Sequence, residues 1–429
     1  MDQIIIQGEQ PLRGDVRLSG SKNSSLPVLA ATLLASRGEC LIHNLPDLTD
    51  VATMLDILRA LGARITCANG MARINAEQLA THEAPFDEVR RMRASFYVAG
   101  PLLGRLRRAS VPLPGGCLIG TRPVDFHIDG FRRMGAASEV EHGRVVIATE
   151  GLHGANLILD ARWSSLGATI NLMLAAALAD GITTIEHASR EPELVECARF
   201  LNLMGARVSG QGTSTLVIEG VRELHGCEFT VVNDRMEAGT YLLAGAATRG
   251  EVTVGPIPPD QLSSFTDTLS QMGVRVETGN DFIRATYAGR PKAIDVITGP
   301  WPGFPTDLQA PVVVFMSLAS GRSVMRETIY ERRFAYVDEL RRFGADIKLI
   351  DHSALAVRGV SHLTGAPVQA PDIRAGAALV IAGLASEGET TIGNIGPLER
   401  GYDSFVEKLN RLGARVHRMG RQRAHLKVV

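Results

Sequence analysis

In PLPGGCLIGTRPVD, residues 112–125, Cys117 sits among Gly115, Gly116 and Gly120 and five residues before Arg122. A thiol kept for packing belongs in an apolar run. One on a glycine-rich segment can move and approach a ligand closely, and a neighbouring arginine favours its thiolate. That combination suits a lid delivering a proton. SGSKNSSLPVLAA, residues 19–31, sets Ser19, Gly20, Lys22 and Asn23 just ahead of an Ala/Leu helix. Unpaired N–H groups at a helix start, with an ammonium beside them, make an anion site. The bland alternative is a solvated lysine near a helix end.

Further cations follow. RRMRASFYVAG, residues 90–100, places Arg90, Arg91 and Arg93 where the pattern predicts a helix to open, against the helix dipole unless an anion answers them. GPWPGFPTDLQAP, residues 299–311, holds four prolines in a stiff turn that presents Asp307. Helix N-capping is the ordinary role for Thr306 or Asp307 there, and a fixed carboxylate base is the alternative. ERRFAY, DIRAGAA and LERGYDSF add Arg332, Arg333, Arg374 and Arg400. Each could be a solvated charge. Together they would make a positive cleft selecting a small, highly anionic ligand.

The elements that must position these residues come from an internal repeat. LGARI, MGAAS, MGARV, MGVRV, FGADI and LGARV recur with glycines at 62, 135, 205, 273, 344 and 413, steps of 68 to 73 residues. Between them runs an Ala/Leu-rich segment, a glycine and an alternating strand, as in INLMLAAALADGITTIEHA. Small apolar residues on every side suit a buried helix, glycine a left-handed end, and Thr/Ile/Val alternation a half-buried strand. The second copy, SFYVAGPLLGRLRRASVPLPGG, is degraded, and it is the one that leads into Cys117. Six units of this kind predict an α/β chain of two lobes with three repeats each. The boundary is expected near VVNDRMEAG, giving one lobe at 21–230 and another at 1–20 plus 231–429. The sixth copy stops short, so the N-terminal strands QIIIQG and DVRLSG are expected to complete it. Ligands favour the cleft between such lobes.

Composition removes several classes. The 429 residues carry a net charge of −1, which disfavours nucleic acid or an anionic membrane as partner. Five scattered cysteines without CxxC spacing suggest free thiols in a reducing compartment. MDQIIIQGEQ does not read as a signal peptide, and no apolar run nears the roughly 18 residues of a membrane span. HExxH, zinc spacings, GxxxxGK[ST] and GxSxG are absent, so no metal or other cofactor is expected, and phosphate binding must rest on Lys, Arg and helix starts. The expectation is a cytoplasmic enzyme acting on small molecules.

Ten ordered stretches carry a resemblance over nearly the whole length: SGSKNSSLP, RRMRASFYVAG, GGCLIGTRPVDFH, SSLGAT, REPELVECARFLNLMGARVSGQGT, DRMEAGTYL, PGFPTDLQA, ERRF, DIRAGAALV and ERGY. They resemble the UDP-N-acetylglucosamine 1-carboxyvinyltransferases, a family of enolpyruvyl transferases. The resemblance implies a two-lobed inside-out α/β barrel of six βαβαββ repeats. It implies transfer of the enolpyruvyl group of phosphoenolpyruvate to the 3′-hydroxyl of UDP-N-acetylglucosamine with loss of phosphate, the first committed step of peptidoglycan precursor synthesis. It assigns Lys22, Asn23, Arg122, Arg374 and Arg400 to phosphoenolpyruvate. Arg93, Arg122, Pro123, Val124, Asp125, Phe126, Ser165, Leu166, Gly167, Asp307, Ile329 and Arg333 fall to the UDP-sugar. Asp307 would take the hydroxyl proton, and Cys117 would be the mobile acid, the thiol that fosfomycin alkylates in this family. Lys22 and Arg400 complete the catalytic set. The implied state is a monomer or weak homo-oligomer.

Three departures touch the acceptor side. DARWSSLGAT is about two residues longer than the family's usual passage, with Trp163 at an unusual position, and Arg332 and Asn233 stand where asparagine and proline are usual. A related transferase acting on another nucleotide or sugar, or a non-catalytic UDP-sugar sensor, are the alternatives. Retention of Lys22, Cys117, Asp307 and Arg400 together argues against the sensor.

Overall fold

A computed structural model describes residues 2–113, 124–162 and 164–420. The six repeat glycines all adopt left-handed backbone, with φ from 87° at Gly344 to 108° at Gly62. A side chain there would be strained, so glycine ends each amphipathic helix and turns the chain into the next strand. Those helices are Thr49–Ala60, Asp125–Arg133, Pro192–Leu203, Ser263–Gln271, Val337–Arg342 and Phe405–Arg411.

Each repeat is a four-stranded sheet of one design. In the third, Asn156–Ile158 lies parallel to Ile182–Glu186, and Thr215–Glu219 runs antiparallel between that strand and Arg207–Ser209. Leu157 stands opposite Ile185, and Ile185 opposite Leu216, so alternate residues form one apolar face. The degraded second repeat is the exception. Its sheet keeps the three strands Arg108–Pro112, Arg144–Ala148 and Ala137–Glu141, and its first strand shrinks to a single bridge between Glu83 and Ser110.

The chain forms two compact units, residues 20–113 with 124–232, and residues 2–19 with 233–420. Within the first, Glu228–Thr230 pairs parallel with Cys40–His43, so the unit's last strand completes its first repeat. In the second, Gln3–Gln7 lies between Glu389–Gly393 and Arg415–Met419 and finishes the sixth repeat, as expected. Arg13–Arg17 departs from that expectation. It pairs parallel with Glu251–Gly255 and opens the fourth repeat, because that copy has no preceding strand of its own.

Each unit is built around three buried helices: Lys22–Ala31, Ala99–Leu106 and Leu166–Ala176 in one, Arg235–Ala247, Gln309–Ser317 and Ile373–Ala385 in the other. All 13 residues of Arg235–Ala247 are buried, which its small residues permit. At Gly239 an added Cβ would lie 2.4 Å from Leu308 Cδ1. Among the described residues no helix is long and apolar enough to cross a membrane.

Candidate active site

In the unit of residues 2–19 and 233–420, Asp307 lies in the 3-10 turn Thr306–Leu308, which runs straight into the buried helix Gln309–Ser317. Pro305 holds the N-cap position, so the capping role that sequence allows Thr306 or Asp307 is not taken. The Asp307 carboxylate instead binds two arginines. Arg333 Nη2 donates to Oδ1 at 2.7 Å, and Arg374 Nε donates to Oδ2 at 3.0 Å. The arginine side chains are only 6% and 4% exposed, against 25% for Asp307. Arg374 opens the helix Ile373–Ala385, where the Asp372 side chain caps the backbone N–H groups of Arg374 and Ala375. Arg333 comes from the loop after strand Arg322–Arg326.

Burial works to discharge both guanidinium groups, and the Asp307 carboxylate beside them outweighs it, so both are held above the ordinary arginine range. The two cations reciprocally favour an ionised Asp307. Arg374 rests on the Tyr402 ring at 5.3 Å, and that ring stacks on Phe405 at 4.6 Å. The Tyr402 hydroxyl meets Thr240 Oγ1 at 3.0 Å. Arg374 interacts with the Tyr402 side chain as well as with Asp307. Its Nη1 is buried without a hydrogen bond of good geometry, and Nη2, 2.9 Å from Asp307 Oδ2, lies at too poor an angle for one. A buried cation beside a carboxylate is suited to a site that takes an anion.

Arg400 ends the short helix Leu398–Arg400, which packs on the start of Ile373–Ala385. At the next residue, Gly401, a Cβ would sit 2.3 Å from Ile373 Cγ2 and 3.9 Å from Arg374 Nη1, so only glycine brings this chain so near Arg374. Ile329 is fixed through its backbone, whose N–H donates to Glu327 Oε1 at 2.7 Å. The second half of this constellation is therefore one neighbourhood: Asp307, Arg333, Arg374 and, on an adjoining turn, Arg400.

The other unit holds the rest. Lys22 and Asn23 open the helix Lys22–Ala31, whose N-cap Ser21 accepts from Ser24 N at 3.2 Å. Lys22 Nζ lies 3.6 Å from Asp50 Oδ2, with side chains 12% and 5% exposed. Arg93 opens the 3-10 helix Arg93–Val98. Arg90 and Arg91, expected to open a helix too, instead close Phe86–Arg91, where the dipole favours cations. Asp125 and Phe126 begin the helix Asp125–Arg133, with Val124 buried before them. Ser165 caps the helix Leu166–Ala176, accepting from Ala168 N at 3.3 Å.

One buried node ties these three starts together. Asn171 Nδ2 donates to the Phe96 carbonyl at 2.9 Å and to His127 Nδ1 at 3.0 Å, while its Oδ1 accepts from Gly100 N at 2.7 Å. An amide donating to Nδ1 requires neutral His127 with its proton on Nε2. Burial, with the Arg93 charge nearby, pushes this imidazole down to about 3. A Cβ on Gly167 would stand 3.5 Å from His127 Nε2. Arg93, Val124–Phe126 and Ser165–Gly167 are thus fixed relative to one another.

Cys117, Arg122, Pro123 and Trp163 lie outside the described residues. The other four thiols are all disfavoured as thiolates by burial. Cys40 is pushed up to about 11 and Cys227 to about 12, and Cys67 and Cys197 are raised as well. Sequence reasoning missed Glu327, Thr306 as a hydrogen-bond relay, Tyr402, His127, Asn171 and Asp50. The signal available for Asn171 was a lone amide inside an otherwise apolar helix, whereas Glu327, just past its strand, offered none.

A family model described as EPSP synthase (3-phosphoshikimate 1-carboxyvinyltransferase) matches residues 6–409. The chain is 46% identical over 419 residues to UDP-N-acetylglucosamine 1-carboxyvinyltransferase 3 of Caldanaerobacter subterraneus, covering 98% of this chain and 100% of that one. It is 47% identical over 434 residues to the UDP-N-acetylglucosamine 1-carboxyvinyltransferase of Trichormus variabilis, covering 100% and 96%. The crystal structure of the enolpyruvyl transferase NikO from Streptomyces tendae superposes with a TM-score of 0.87 at 27% identity, over 97% of this chain and 98% of that one. The repeat architecture and these full-length similarities agree: the chain belongs to the EPSP synthase family of enolpyruvyl (1-carboxyvinyl) transferases.

Proposed function

We propose that this enzyme transfers the enolpyruvyl group of phosphoenolpyruvate to the 3′-hydroxyl of UDP-N-acetylglucosamine and releases phosphate, opening peptidoglycan precursor synthesis in the cytoplasm. The observation that carries the reading is Asp307 held between two buried arginines. Lys22, Asn23, Arg122, Arg374 and Arg400 bind the phosphate and carboxylate of phosphoenolpyruvate. Arg93, Arg122–Phe126, Ser165–Gly167, Ile329 and Arg333 hold the UDP-sugar.

The chemistry orders the roles. Cys117 gives a proton to C3, leaving an oxocarbenium-like C2 that nearby anionic groups stabilise, while the arginines hold the phosphate and carboxylate. The 3′-hydroxyl oxygen then bonds to C2 and its proton passes to Asp307. Loss of a proton from C3 with departure of phosphate restores the double bond. A carboxylate engaged by two guanidinium groups is a weak base toward a neutral alcohol. It suffices here because the hydroxyl acidifies as its oxygen bonds to a cationic carbon. Fosfomycin, an epoxide, would be opened by the Cys117 sulfur. The protein works as a monomer or weak homo-oligomer, without metal or organic cofactor.

Phosphate release measured with phosphoenolpyruvate and a panel of nucleotide sugars tests the proposal. Release dependent on UDP-N-acetylglucosamine is expected. Release with only another acceptor would move the enzyme to a different branch of the family, and none with any acceptor would reject transfer.

A further inference from the structure

The Asp307 cluster has a second carboxylate that no substrate role requires. Glu327 is 2% exposed and follows the strand Arg322–Arg326. Its Oε1 accepts from Thr298 Oγ1 at 3.0 Å, Ile329 N at 2.7 Å and Tyr330 N at 3.1 Å. Its Oε2 accepts from Thr306 Oγ1 at 2.8 Å. An ionised carboxylate only accepts, so the single hydroxyl proton of Thr306 points at Glu327. The lone pairs of Thr306 are then free to accept from Arg333 Nη1 at 2.6 Å, while Arg333 Nη2 reaches Asp307. Arg333 also lies over the Tyr330 ring at 5.1 Å, on the segment that Glu327 clamps.

We infer that Glu327 is a positioning residue for the transfer: through the Thr306 hydroxyl it fixes Arg333 and so aims the Asp307 carboxylate, while its other oxygen pins Ile329 and Tyr330. The inference rests on the role of Asp307 given above. Glu327→Gln preserves shape but reverses the relay. The three donors at Oε1 require the amide oxygen there, which turns the amide N–H toward Thr306. The hydroxyl proton loses its acceptor and must turn elsewhere, and the amide competes with Arg333 for the Thr306 lone pairs.

The test is a cycle of Glu327→Gln, Thr306→Val and the double variant, with Thr306→Ser as the conservative control. Each single change is expected to lower kcat about 10- to 100-fold, the scale of a misaimed reacting group. KM for phosphoenolpyruvate stays within a few-fold, the double variant is no slower than the slower single, and Thr306→Ser restores most of the rate. A purely structural role lowers the melting temperature while leaving kcat per folded molecule unchanged. That result, or losses that multiply in the double variant, overturns the inference. Crystals of Thr306→Val give a readout independent of turnover. Asp307 and Arg333 displaced supports the assignment, and both unmoved refutes it. Wild type inactive with every acceptor would reject the functional reading, and the crystal comparison would still decide the role of Glu327.

Discussion

Replacing Asp307 by asparagine separates the electrostatic account from a merely structural one. The carboxylate offsets two guanidinium groups whose side chains are 6% and 4% exposed. Removing one partner of a buried pair costs about 3–5 kcal/mol, because the other charge is stranded. Arg333 keeps a bond to Thr306, itself tied to Glu327, so the stranded charge is chiefly Arg374 and the lower end applies, about 3 kcal/mol. For a compact unit of this size the melting temperature should fall by about 6–12 °C. Loss of the base should lower kcat by about 10²–10⁴. Adding Arg374→Met removes the stranded cation, so the double variant is expected to regain much of the lost stability while remaining inactive. Calorimetry and a coupled phosphate assay measure the two quantities. An Asp307→Asn enzyme that melts where wild type does and turns over within threefold of it would refute the reasoning.

Other outcomes follow from particular side chains. His127 is held down to about 3 from an ordinary 6.5, so the unfolded chain binds the extra proton between those values. Stability from this group is complete above pH 6.5 and drains away as pH falls, by about 2 kcal/mol at pH 5, and His127→Asn should flatten that acid limb of the melting profile. Glu237 shows the opposite sign. Burial, opposed by Lys408 at 2.6 Å and the Ser19 N–H, lifts it from 4.5 to about 7, so its contribution is present below pH 4.5 and is lost as pH rises through 7. Glu237→Gln is expected to remove that slope in melting curves between those limits. Fosfomycin or a mild alkylating agent should label Cys117 alone, since burial keeps the other four thiols protonated. Peptide mapping checks this, Cys117→Ser should abolish the label, and Cys117→Asp should escape it with some activity left. Gly239→Ala sets a methyl against Leu308, next to Asp307, and should cost about 1–3 kcal/mol with a fall in kcat, read by calorimetry and turnover.

Much of this molecule is legible in its sequence because the repeat is written in backbone chemistry. The glycines of LGAR, MGAR and their kin stand where only left-handed backbone can end a helix, and the phrase therefore survives in every copy. The strand assignment of DVRLSG failed for a topological reason. The second unit is completed by two N-terminal strands that join different sheets, and sequence order does not say which sheet a terminal strand will join. PGFPTD, ERRF and DIRAG could be named as carriers of Asp307, Arg333 and Arg374, but not as neighbours, since the pairs are 26 and 67 residues apart in the chain. Glu327 escaped notice because a glutamate after an alternating strand is ordinarily a solvated residue. Only its four donors, each from a different residue, give it a function. The same holds for Asn171, a single amide in an apolar helix whose partners come from two other segments.

The two buried arginines are paired with a carboxylate inside the cluster itself, within a chain whose net charge is only −1.

The most direct measurement uses phosphoenolpyruvate carrying heavy oxygen in the bridge between carbon and phosphorus, with UDP-N-acetylglucosamine as acceptor. Addition at C2 followed by elimination breaks the carbon–oxygen bond, so the label should leave with phosphate and the nucleotide should gain an unlabelled enolpyruvyl group. Label retained on the three-carbon product, with unlabelled phosphate released, would mean attack at phosphorus and would contradict the account.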